Sequence, residues 1–178
     1  MPRKITVLEG HPDPDPGHFG YALADAYIDG AQEAGHEVRR IRVSELDFAV
    51  LRTRVEWQAA PPPDIRAAQE AIVWADHLVL LYPLWLSTMP ALLNAFWEHV
   101  FRPGFGTRDG QKLLAGRSAR VIVTMGMPAK FYHPPERNLL GFTGIGPIEE
   151  TPIGDVDGDA SKRKAWLSEI AELGRAGA

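Results

Sequence analysis

An α/β fold is predicted, an open parallel sheet with helices on both faces, and three observations predict it. Short β-branched or wholly apolar runs alternate with amphipathic helical patterns along the chain. Two of those runs, HLVLL at His77 to Leu81 and ARVIVT at Ala119 to Thr124, lack the polar alternation of a strand with one wet face. The stretches that follow the strands, GHPDPDPGHFG, YPLWLS and TMGMPAKFY, are dense in turn residues, and in such sheets ligands bind outside the carboxyl ends of the strands. At 178 residues the chain has the length of one domain, so residues 1–178 are read as a single unit.

Each element has its own warrant. KITVL at Lys4 to Leu8 is a short β-branched strand. His18 to about Ala34 is helical, with Phe19, Ala22, Leu23, Ala26 and Tyr27 on one side and Gly35 as its stop. HEVRRIRV alternates as a half-exposed strand, which makes Arg39, Arg40 and Arg42 a solvated edge, and an irregular connection follows to APPPD. Asp64 is the expected N-cap of IRAAQEAIVWAD, in which Ile65, Ala68, Ile72 and Ala75 recur at helical spacing. Ser87 or Thr88 would cap the next helix, with Pro90 in its first turn. A last strand is predicted over Pro147 to Ile153, and a closing helix over Ala160 to Leu173 with Trp166 and Ile170 inward.

The run LLYPLWLSTMPALLNAFWEHVF, Leu80 to Phe101, is long enough to test as a membrane span. Pro83, Pro90, Asn94, Glu98 and His99 interrupt it and its period changes partway, so it reads as a strand end, a turn and a helix. That helix is apolar around most of its circumference, whereas a surface helix needs one stripe. A second apolar face implies a partner, most simply another copy, which predicts a homodimer through the Leu92–Phe101 helix.

Composition excludes several classes of function. A formal charge of −4 gives no general attraction to nucleic acid or anionic lipid. With no cysteine there is no disulfide, thiolate nucleophile or thiolate metal site. MPRKITVLEG carries only a strand's length of apolar residues, too few for a signal peptide, and a cytoplasmic location is the expectation.

The first loop admits two readings. N–H groups near His18, Phe19 and Gly20 would face an anion at a helix N-terminus, or the segment is an ordinary turn; neither GxxxxGK[ST] nor GxGxxG is present. Asp13 and Asp15, each flanked by prolines, read as a solvated turn rather than a metal or phosphatase pair. DVDGD at Asp155 to Asp159 is no calcium loop, since its glycine is displaced and Trp166 stands where the glutamate belongs. Trp85 either supports a flat ligand or covers the core. Thr124, Met125, Gly126 and Met127 offer a hydroxyl and N–H groups to a ring edge or to their own turn.

Taken together, HP followed by HFGYALADAY, DIRAAQEAIVWADHLVLLYPLWLSTMPALLNAFWEHVF and VIVTMGM resemble the NAD(P)H quinone reductase family of flavodoxin-like flavoproteins. The resemblance covers about Ile5 to Gly126. Trp85 comes directly after Leu84 here, and Asn94 stands where the family has lysine. It implies a flavodoxin-like three-layer sandwich on a five-stranded parallel sheet, and a flavin cofactor, FAD or FMN, with NAD(P)H as co-substrate. It places His11, His18, Phe19 and Gly20 around the flavin phosphate and Pro83, Leu84, Trp85 and Leu86 along the ring. Thr124, Met125, Gly126 and Met127 approach the pyrimidine edge, where N–H groups stabilise reduced flavin.

The implied reaction is two-electron hydride transfer from NAD(P)H through flavin N5 to a quinone-like acceptor. The loop after Met127 is short relative to the family, which leaves Tyr132 and His133 as the local candidates for catalytic contacts. The first loop is about two residues longer than the compact form, so FMN and FAD both stay open. Two other functions are compatible with the same fold: a flavin-binding ancillary subunit of a potassium-efflux transporter, and a cofactor-free interaction module.

Overall fold

The computed structural model describes residues 1–132, 136–156 and 160–178. Five parallel strands make the sheet, in the order β2-β1-β3-β6-β7. They are β1 (Lys4–Glu9), β2 (Glu37–Arg42), β3 (His77–Pro83), β6 (Ser118–Thr124) and β7 (Ile148–Ile153), while β4 (Thr107–Arg108) and β5 (Gln111–Lys112) form a small antiparallel hairpin. The helices are α1 (Phe19–Glu33), α2 (Arg54–Gln58), α3 (Pro63–Trp74), α4 (Ala91–Val100), α5 (Glu136–Phe142) and α6 (Ala160–Ala176).

Strand alternation divides the core into two layers, because successive side chains point to opposite faces. Ile5 and Val7 of β1, Val79 and Leu81 of β3 and Ile122 of β6 pack with Leu23 and Tyr27 of α1 and Ile170 of α6. On the other face, Leu8, Leu78, Leu80, Val121 and Val123 pack with Ile65 and Ile72 of α3 and Leu93, Phe96 and Trp97 of α4. Every residue of HLVLL is buried, which is why no polar alternation marks it. α1 and α6 touch through glycines: a Cβ on Gly30 would lie 2.2 Å from the Ala171 carbonyl oxygen, and one on Gly174 would lie 2.1 Å from that of Tyr27.

Two helix starts differ from expectation. Pro62 is the N-cap of α3, with Pro63 in its first turn, and Asp64 lies inside the helix and accepts the Asp47 N–H at 2.8 Å. A proline at the first helical position loses no bond, so the helix begins one residue before the aspartate. Pro90 is itself the N-cap of α4, and Ser87 and Thr88 belong to a hairpin turn instead of capping the helix. α2, with its reciprocal Thr53–Glu56 capping box, lies within the connection read as irregular.

β2 is the sheet edge and Arg39 and Arg40 are exposed there, but Arg40 and Arg42 also carry ion pairs that the sequence did not show. Both reach across to Glu9, the last residue of β1, which is 2% exposed; Arg40 binds Oε1 at 2.5 Å and Arg42 binds Oε2 at 3.0 Å. Arg39, on the alternate face, lies over the Trp74 ring at 4.2 Å. A buried carboxylate requires such partners.

Candidate functional site

The chain runs from β1 outward to β2 and then crosses back to β3 on the other side of β1, so strand order reverses between β1 and β3. At the carboxyl ends there, the Gly10 N–H donates to the Leu81 carbonyl at 2.7 Å and the Leu84 N–H to that of Thr124 at 2.8 Å. These bonds carry the sheet ladder into the loops and set the loops side by side. Gly10 must be small, because a Cβ there would lie 2.5 Å from Leu93 Cδ2 on α4.

The first loop is built on its own aspartates. Asp13 Oδ1 accepts the Asp15 N–H at 3.0 Å and Asp15 Oδ1 accepts the Gly17 N–H at 2.8 Å, so each side chain closes a local turn. His18 Nε2 lies 2.9 Å from Asp13 Oδ2, and the His11 and His18 rings stack at 3.9 Å. The Asp15 amide, with the His18 imidazole, holds the Asp13 carboxyl below the ordinary range. Burial, with the His18 charge, lowers His11. Among the described residues no three His, Asp or Glu side chains are grouped as a metal ion would need.

α1 starts immediately after this loop, and its N-cap His18 makes no side-chain cap bond; the Tyr21 N–H donates to the His18 carbonyl at 3.1 Å, which leaves those of Phe19 and Gly20 for an anion. A Cβ at Gly20 would meet nothing within 4 Å, which leaves the space in front of that turn open. Phe19 points elsewhere, packing in the α1–α6 layer with the Arg163 guanidinium 5.3 Å from its ring.

Sequence reasoning missed a brace beneath the loop. The Tyr21 hydroxyl donates to the Asp13 carbonyl at 2.7 Å and lies 3.1 Å from Ser44 Oγ, while the Arg42 guanidinium sits 5.3 Å from the Tyr21 ring. Its signal was the placing of Arg40 and Arg42 two residues apart on one face of β2, in register with Val7 and Glu9.

The second loop carries backbone strain. Trp85 and Thr88 exchange N–H to carbonyl bonds, both 3.0 Å, around a two-residue turn of Leu86 at φ 49° and Ser87 at φ 63°. Such turns favour Asn-Gly, since the left-handed region is costly for side chains with a Cβ. Strain of this kind concentrates at ligand clamps. The turn holds Leu86 fully outward at 99% exposure and Trp85 at 48%, with the Trp85 ring edge-on to His11 at 5.9 Å. Trp85 is therefore half exposed at the carboxyl end of β3 rather than closed over the core. Pro83 and Leu84 are partly buried beneath it.

In the third loop the four expected residues divide. Met125 is buried and its N–H is committed to the Ile153 carbonyl at 2.9 Å, whereas Gly126 is exposed and Met127 is 39% exposed. Thr124 is half-buried at the end of β6. Tyr132 comes to the same end of the sheet, its hydroxyl 3.4 Å from that of Tyr82. His133 lies outside the described residues, as do Asp157 to Asp159 of the DVDGD segment.

α4 does not present a free apolar face. Leu93, Phe96, Trp97 and Val100 are buried, Trp97 stacks on Phe101 at 5.2 Å, and Phe48 of the connection before α2 meets Phe96 at 6.3 Å. His99, at 3% exposure, approaches the Ala49 carbonyl with Nε2 at 2.6 Å and accepts from Arg102 through Nδ1 at 2.7 Å. The chain's own connection thus covers the second face, and Ala91, Leu92, Asn94 and Glu98 are what the helix leaves outward or partly so.

A family profile described as the flavodoxin-like fold matches residues 3–175. The chain is 28% identical over 183 residues, 93% of its length and 90% of the relative's, to an uncharacterized NAD(P)H oxidoreductase of Haemophilus influenzae. It is 27% identical over 138 residues, 78% of its length and 67% of the relative's, to the glutathione-regulated potassium-efflux system ancillary protein KefG of Pectobacterium carotovorum. The solved NAD(P)H:quinone oxidoreductase of Methanothermobacter marburgensis superposes with a TM-score of 0.80 over 98% of this chain and 96% of that one, at 22% identity, which is likeness of fold. Profile and sheet order agree over nearly the whole length, and the chain belongs to the flavodoxin-like fold family.

Proposed function

We propose that this chain is a cytoplasmic, flavin-dependent NAD(P)H oxidoreductase that delivers two electrons to a quinone-like acceptor. The observation that carries the reading is the strained Leu86–Ser87 turn, which holds Trp85 and Leu86 out beside the uncapped start of α1 at the sheet's switch point. The relative named NAD(P)H oxidoreductase, matched nearly end to end, supports the same chemistry.

The residues present suit a flavin. The free N–H groups at Phe19 and Gly20 would take the phosphate, with the His11–His18 pair beside it. Pro83, Leu84, Trp85 and Leu86 would lie along the ring, and Gly126 and Met127 at its polar edge. A bound flavin supplies the redox chemistry, taking a hydride equivalent from the nicotinamide and returning two electrons to the acceptor. The chain contributes orientation and exclusion of water: Trp85 and Leu86 cover apolar ring surface, and Tyr132 stands by Tyr82 where an acceptor would enter. Among the described residues no helix is long and apolar enough to cross a membrane, and the proposed acceptor is a small molecule met beside the exposed Trp85 and Leu86. A homodimer would have to build on Ala91, Leu92, Glu98 and the loop around Trp85 rather than on a whole apolar face.

The KefG relative favours a second reading, a flavin-binding ancillary subunit with negligible turnover. An absorbance spectrum of the purified protein, repeated after anaerobic NADPH and then menadione, separates the two. Flavin bands that bleach and return are expected of the oxidoreductase. Bands that NADPH does not bleach favour the ancillary reading, and no bands even after added FMN or FAD overturn both.

A further inference from the structure

Arg102, just past the end of α4, is 6% exposed and makes no salt bridge among the described residues. Its NH1 donates to the carbonyls of Glu56 and Ala59, both at 2.7 Å, and its NH2 to His99 Nδ1. Nε is buried with no acceptor. A guanidinium has five N–H groups, and three bonds leave two unspent. A cation this far from water costs free energy unless an anion accompanies it.

The same side chain borders a cleft of about 570 Å³ between α4 and the Ala49–Pro62 connection. Val50, Leu51, Ala60 and Pro62 form apolar walls, and His99 lies at the floor with Arg102. The charged groups facing it are Arg52, Arg102 and Glu56. The Glu56 carboxylate is already engaged, accepting the Arg52 N–H at 2.7 Å and the Thr53 N–H at 3.1 Å in the α2 capping box. Both carbonyls that accept from NH1 also belong to this connection, so the guanidinium is held in place before anything binds.

We propose that this cleft binds a small organic monocarboxylate with an apolar body, its carboxylate on Arg102 and its body against Val50, Leu51 and Pro62. Apolar walls joined to a fixed guanidinium are the make-up of a ligand pocket, and Arg52 and Glu56 complete its lining. With NH1 spent on two carbonyls and Nε out of reach of solvent, the remaining N–H of NH2 is the donor left for that carboxylate, assisted by the guanidinium charge. The site lies at the C-terminal end of α4, about 15 Å along the helix from the Trp85 loop, and does not depend on a flavin there.

The test uses the intact chain with sodium benzoate as probe, benzamide as the uncharged isostere and sodium chloride at matched ionic strength. Thermal unfolding and saturation-transfer NMR are the readouts. Benzoate is expected to raise the unfolding midpoint with the logarithm of its concentration and to show ring saturation transfer, while benzamide and chloride do neither. Arg102→Met should abolish both effects. Because that variant removes the bonds to two carbonyls and risks the fold, Ala60→Phe, which fills the cleft and leaves Arg102 intact, should abolish them too. No response to benzoate, an equal response to benzamide, or full benzoate binding by folded Ala60→Phe overturns the proposal.

Discussion

The imidazoles of His11 and His18 stack with centroids 3.9 Å apart and 25° between their planes, and Asp13 holds the second ring at 2.9 Å. A carboxylate therefore stands beside the α1 N-terminus, where the proposed flavin phosphate would bring further negative charge. Removing that charge removes repulsion at an anion site. Asp13→Asn is expected to tighten FMN or FAD binding roughly two- to fivefold, a range set by charge effects at exposed helix ends. Fluorescence quenching titrations at low salt measure it, and the gain should shrink at high salt. Weaker binding would mean that Asp13 serves the site through the loop geometry it closes.

The Leu86–Ser87 turn places two residues with Cβ atoms in the left-handed region, at a cost of about 1 kcal/mol each. Relieving both positions with the double substitution Leu86→Asn and Ser87→Gly should raise unfolding free energy by ~1–2 kcal/mol in urea titrations. The same double variant removes the exposed Leu86 side chain from the proposed ring surface, so flavin dissociation constants should rise roughly tenfold. Gain of stability with loss of affinity is the expected pair. Stability gained with affinity unchanged would show that the turn has no part in holding the ligand.

His77 is buried at the start of β3, its Nδ1 2.8 Å from Ser118 Oγ and its Nε2 without a partner. Burial, aided by the charges of Arg3 and Arg120, pushes its pKa down to about 3. The unfolded chain titrates this group near the ordinary value of about 6.5. Between those values the unfolded state holds a proton that the folded state refuses, so stability falls as pH drops below about 6.5. At about 1.4 kcal/mol per pH unit the loss approaches 2 kcal/mol by pH 5. Urea unfolding at pH 7.5 and 5.0 should show that loss in the parent and a smaller one in His77→Asn. Equal pH dependence in both would assign the effect to other groups.

Much of this molecule was legible without coordinates. Hydrophobic periodicity reports which faces leave water, and it placed the five strands of the sheet and the helices α1, α3, α4 and α6. The turn-rich segments after β1, β3 and β6 marked the end of the sheet where the candidate site lies, because strand ends in a parallel sheet must open into loops. Periodicity does not report what covers a buried face. The apolar circumference of α4 read as a meeting place for a second chain, and the tertiary structure covers it with Phe48, Ala49 and the α2 connection, pinned by His99 and Arg102. Arg40 and Arg42 stand on the edge strand as read, and the pairing of β2 with β1 adds their common partner, the buried Glu9. The left-handed turn at Leu86 carries no compositional sign, since nothing in Leu-Ser prefers it and only the short span between β3 and α4 imposes it. The amino-acid sequence by itself determined the five sheet strands, four of the helices and the loops that make up the candidate site; the partners of Glu9, Arg102 and α4 were decided by tertiary structure, because contacts across tens of residues follow from strand register and chain crossover rather than from local pattern.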